Sequence, residues 1–202
     1  MVLSMRFDRR ILALVAVAVF TSIVFASVFV YYPVSVAVSP VAPPVYFEYG
    51  TNANQPDLGG ANTIAVNLGS NKTSLEITIH PTYQVSYYKN ISLIVNGDSK
   101  TYYVTLKVVT TASGLPANSK LVLYVYSKGA ARSLSGHPTP TPSGYHTSLD
   151  LTTTSQTPQI AITAGNAIEL DVYVYIPEGY QLPASVNAQL LLVYSPSTET
   201  PP

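Results

Sequence analysis

The chain has 202 residues, zero formal net charge, no cysteine and only 10% charged residues, against about 25% in an average soluble domain. These numbers exclude a disulfide framework and a Cys-ligated metal, and with no basic patch nucleic acid is not an expected partner. Hydrophobic residues at 47%, with sixteen tyrosines, exclude a disordered chain.

The first element is an apolar run. Arg6, Asp8, Arg9 and Arg10 precede residues 11–32, and no charged residue occurs from Ile11 to Phe47. A basic start ahead of such a run marks an export signal or a membrane anchor. Val24-Phe25-Ala26 before Ser27 suits signal-peptidase cleavage, so residues 1–26 are read as a signal peptide. Removing it leaves about 175 residues, one domain by size, with seven basic and nine acidic side chains. Two alternatives stay open at this point. A retained anchor would reach residue 32, since about 20 apolar residues span a bilayer. A pilin-type leader would be cut before Ile11, although the small residue favoured there is missing. The membrane is otherwise a partner only during export.

Behind the run the pattern changes to alternation. Val34, Val36 and Val38 stand against Ser35, Ala37 and Ser39, the period of a β-strand. Residues 27–48 are therefore read as an extended N-terminal segment. Residues 49–194 read as short strands between turns: 64–68, 75–80, 91–95, 101–109, 121–126, 149–153, 159–163, 168–176 and 186–194. β-branched and aromatic residues dominate them, and no helical periodicity of useful length occurs. The expected fold is all-β, an antiparallel β-sandwich of jelly-roll or Ig-like type. Asn96-Gly97-Asp98 is the strongest hairpin signal and predicts that 91–95 pairs with 101–109. Residues 127–147, rich in Gly, Ser and Pro, predict a long surface loop. The tail 195–202 should be exposed, since its prolines cannot pair in a sheet.

Few residues suggest chemistry. No Gly-x-Ser-x-Gly elbow, phosphate loop or dinucleotide fingerprint occurs, so no catalytic residue and no cofactor is assigned and the chain is not read as an enzyme. His80, His137 and His146 have no local Asp, Glu or Cys to complete a metal site and are read as solvated. Glu169 and Asp171 share one face of a strand; they suit a Ca²⁺ ion, but the plainer reading is the solvent face of that strand. Asn71-Lys72-Thr73 and Asn90-Ile91-Ser92 are glycosylation sequons, expected at exposed turns of an exported protein. The tyrosines suit either a sugar-binding face or half-buried sheet surface and subunit contacts, the simpler account.

Three passages carry a resemblance: residues 34–40 (VSVAVSP), 88–108 (YKNISLIVNGDSKTYYVTLKV) and 162–194 (ITAGNAIELDVYVYIPEGYQLPASVNAQLLLVY). With the export signal they resemble archaeal extracellular filament subunits of the thread and bundling-pilus type, which are related in fold to TasA-like biofilm fibre subunits. The resemblance implies a homopolymer on the cell surface, assembled by donor-strand complementation. Carried over by position, it makes Val34, Val36 and Val38 the groove-filling residues. A cell-surface adhesin or carbohydrate-binding module is the alternative from another class, and an exported hydrolase a third.

Overall fold

The computed structural model describes residues 8–24 and 29–200. They fall into two compact units, divided between Val41 and Ala42. In the first, Asp8 opens the helix α1 (Arg9–Val24), its carboxylate accepting the Arg10 N–H at 3.2 Å as an N-cap. Among the described residues no helix is long and apolar enough to cross a membrane. The expected cut between Ala26 and Ser27 lies outside the described residues. Residues 29–41 have no regular secondary structure.

The second unit is all-β. Its strands are β1 (Val45–Tyr49), β2 (Ala65–Leu68), β3 (Leu75–Thr78), β4 (Gln84–Asn96), β5 (Tyr102–Thr110) and β6 (Lys120–Ser127). There follow β7 (Ser133–Ser135), β8 (Thr141–Ser143), β9 (Thr147–Asp150), β10 (Ile160–Ile162), β11 (Ala167–Ile176) and β12 (Gln189–Ser195). All pairings are antiparallel. A five-stranded sheet runs β1-β4-β11-β6-β9, and a three-stranded sheet runs β10-β5-β12. β2-β3 and β7-β8 form separate ribbons. One core gathers Val45 and Phe47 from β1, Ile91 and Ile94 from β4, and Val104, Leu106 and Val108 from β5, with Ile168 to Ile176 on alternate positions of β11. The period of two puts the β1, β5 and β11 residues on one face of their strands, while an irregularity in β4 between Tyr88 and Ser92 lets Ile91 and Ile94, three apart, both reach the core. Residues 45–48, read as part of the extended segment, instead form most of β1.

Two expectations fail here. Asn96-Gly97 does not make a hairpin: β4 pairs with β1 and β11, and β5 with β10 and β12. The chain passes from one sheet to the other because the Asn96 side chain holds an open loop. Its Nδ2 donates to the carbonyls of Lys100 (2.7 Å) and Ile162 (2.8 Å), and its Oδ1 accepts the Asp98 N–H (3.0 Å). The Gly97 N–H donates to the Pro44 carbonyl at 2.9 Å, where β1 begins. A Cβ on Gly97 would lie 2.8 Å from the Tyr46 ring and would push that half-buried side chain aside, so glycine here serves close packing and not a type I′ turn. The long loop 127–147 is also not a plain loop, since it folds into the β7-β8 ribbon.

Candidate functional site

The alternating segment is displayed. Val34, Val36 and Val38 are 81%, 81% and 82% exposed, and their neighbours 29–42 are exposed throughout. Apolar side chains at strand spacing normally cover a core.

Among the edge strands that border the core, β12 and β3 stand out. β12 pairs with β5 on one side and with no strand on the other, among the described residues. β3 likewise pairs only with β2. Each carries half-buried apolar side chains packed on the common core: Leu190 and Leu192 on β12, Leu75 and Ile77 on β3. Val104, Leu106 and Val108 on neighbouring β5 are at most 3% exposed. Burial therefore falls off at these two edges. The sequence showed both strands but not that each keeps an unpaired side.

The acidic pair has a different role from the one expected. Glu169 and Asp171 are 5% and 0% exposed, so they are not on a solvent face. Arg132, the only arginine after residue 10, reaches back from the 127–147 segment. Its Nε donates to Asp171 Oδ2 (3.0 Å) and its Nη2 to Asp171 Oδ1 (3.1 Å) and Glu169 Oε2 (2.5 Å). Its Nη1 donates to the Ala130 carbonyl, and the guanidinium lies 4.4 Å over the Tyr126 ring. The Gly129 N–H donates to Glu169 Oε1 at 3.0 Å. Asp171 also sits opposite an irregularity in β4, where the register shifts between Leu170 and Val172. There it accepts the Asn90 N–H at 2.7 Å and the Tyr87 hydroxyl. Asp171 takes two protein donors on each oxygen and Glu169 one on each, with a buried guanidinium between them, so this pair is a clamp for the overlying segment and not an open Ca²⁺ site. Burial pulls the Arg132 guanidinium down, but hydrogen bonds and charge from Asp171 and Glu169 outweigh it and leave it above its ordinary value. Burial, then Asp171, pushes the Tyr87 phenol far up. A lone arginine in a Gly/Pro-rich segment and a lone acidic pair on an apolar strand were the available signal.

Tyrosines cover the same face. Tyr145 packs on Tyr124 with ring centroids 4.7 Å apart and planes tilted by 60°, and Tyr124 meets Tyr173 edge-on at 6.2 Å. Tyr126 and Tyr173 are at most 2% exposed, so they serve as packing and present no open sugar-binding platform.

The His80 side chain is 39% exposed, as expected of a solvated histidine, but it also has a partner. Its Nδ1 lies 3.0 Å from Asp57 Oδ2, and its N–H donates to the same oxygen at 2.7 Å. Burial would raise the Asp57 carboxyl, but donors from Leu58 and His80 hold it below its usual value. His137 and His146 are exposed. Among the described residues no group of three potential metal ligands occurs. The sequons differ: Asn71 is exposed, whereas Asn90 is 8% exposed inside β4, not at an exposed turn.

No protein-family model matches the chain, and no curated protein matches it.

Proposed function

We propose that this chain is the structural subunit of an extracellular filament, and not an enzyme. Its two larger sheets face one another as a β-sandwich, and residues 34–39 act as a strand given to the next copy. The observation that carries this reading is the exposure of Val34, Val36 and Val38, each above 80%, on a segment of strict period two. An extended segment that joins a sheet edge satisfies a row of N–H and C=O groups and buries alternate side chains. Three valines at about 1.5–3 kcal/mol each give a strong junction before the backbone bonds are counted. The contact is head to tail, so it repeats into an open fibre. The clamped tyrosine face and the exposed Asn71 suit a rigid subunit with a glycosylated outer surface.

The test is deletion of residues 27–40 from the exported protein. Folded, soluble monomers by circular dichroism and gel filtration, with no fibres by negative-stain microscopy, are expected. Normal fibres from the deleted protein would refute the role of this segment.

A further inference from the structure

Several strand edges could accept such a segment, and they are not equivalent. The outer edge of β1 is partly taken, since the Phe47 N–H donates to the Lys72 carbonyl at 2.8 Å. β2 is covered by Asn54, whose Oδ1 accepts the Val66 N–H and whose N–H donates to the Ile64 carbonyl. β9 has four residues and ends where the chain crosses to lie beside β5, with the Ala112 N–H on the Leu151 carbonyl (2.7 Å) and the Val108 N–H on the Ser155 carbonyl (2.9 Å). β10 has three residues, and Asn96 already occupies its Ile162 carbonyl. β7 and β8 have three residues each and stand apart from the core.

β12 and β3 remain. We infer that residues 34–39 of one copy insert alongside β12 of a second copy, with β3 as the opposite wall, joining the three-stranded sheet and the β2-β3 ribbon into one. The inference rests on the filament reading above and names its acceptor. Three observations agree. First, the half-buried Leu190 and Leu192 on one edge and Leu75 and Ile77 on the other pack on the same core. Valines laid between them would complete their burial. Second, lengths match. Pro33 and Pro40 lack N–H groups and so bound a six-residue pairing segment, and β12 has seven residues. Third, the faces match. With the valines inward, Ser35, Ala37 and Ser39 point outward, beside the exposed Glu76 and Thr78 of β3 and Leu191 of β12.

The absence of cysteine makes a clean test. Full-length chains carrying Val34→Cys, Val36→Cys or Val38→Cys are mixed with chains carrying Leu190→Cys, Leu192→Cys or Ile77→Cys, assembled and oxidised. Controls carry Phe47→Cys on β1 or Leu149→Cys on β9, the core-facing positions of those edges. Facing residues on paired strands have Cβ atoms about 4.5–5.5 Å apart, so a correct neighbour forms a disulfide after small adjustment. A synthetic peptide of residues 33–40 with Val36→Cys repeats the measurement without polymerisation. Expected are covalent dimers through Leu190 or Leu192 and through Ile77, at least tenfold over both controls. Dimers through Phe47 or Leu149, or fibres with no dimer at any position, overturn the acceptor assignment while the filament reading stands. A chain carrying both Val36→Cys and Leu192→Cys that closes only on itself and forms no fibre overturns both.

Discussion

Arg132→Ala is the sharpest probe of the β unit. The side chain is 7% exposed, and its removal strands Asp171 at 0% and Glu169 at 7% side-chain exposure. Removing one partner of a buried ion pair costs about 3–5 kcal/mol, because the remaining charge is left unpaired in a poorly solvated site. For a unit of this size each kcal/mol moves Tm by about 2–4 °C, so the expected drop is about 6–20 °C. The comparison is Lys72→Ala. Lys72 pairs with Glu48 at 3.3 Å, but the two side chains are 50% and 42% exposed. That change should cost under about 1 kcal/mol. Urea denaturation followed by tyrosine fluorescence measures both. Since Arg132 ties the 127–147 segment to β11, trypsin should also cut after exposed Lys128 much faster in the Arg132→Ala protein. Replacing all three charges together (Arg132→Met, Glu169→Gln, Asp171→Asn) should lose less than Arg132→Ala alone. If Arg132→Ala and Lys72→Ala cost the same, or if the triple change is the worse one, the clamp argument is wrong.

Three other outcomes are expected. Val36→Asp should abolish fibre formation by placing an unpaired charge among aliphatic side chains, whereas Ser35→Asp should leave fibres visible by microscopy; equal behaviour of the two would contradict the inward face assigned to the valines. Alkali should destabilise the unit: burial first, then neighbouring tyrosine hydroxyls, pushes Tyr124 up to about 12, and burial, then Asp57, pushes Tyr88 higher. A phenol with a raised pKa contributes stability that is complete below its unfolded value of 10.0 and is lost as pH rises through the folded value. Unfolding free energy should therefore fall from pH 10 upward, with tyrosinate absorbance at 295 nm appearing on unfolding; a flat profile to pH 12 would refute it. Native material should carry glycan mass on the Asn71 peptide and none on the Asn90 peptide, because only Asn71 is exposed; the reverse pattern in mass spectra would refute this.

The linear sequence determined the local elements. Alternating runs located β2, β3, β5 and β11, and apolar runs rich in β-branched and aromatic residues located β6 and β12, to within a few residues, since both patterns are properties of neighbouring positions. It also marked Val34, Val36 and Val38 as one face of a strand. Partnership was not legible in that way. Asn96-Gly97 looks like a hairpin turn from its own two residues, but a hairpin fails because Asn96 finds the Ile162 carbonyl, sixty-six positions away. Glu169 and Asp171 look solvent-facing because alternation says only that they oppose the core face. What covers that second face is Arg132, thirty-seven positions earlier, together with the tyrosines of β6. Tertiary structure likewise decided which strands keep a free edge. Whether β12 and β3 are paired on one side or two depends on every other strand in the unit, and that is the property on which strand addition turns.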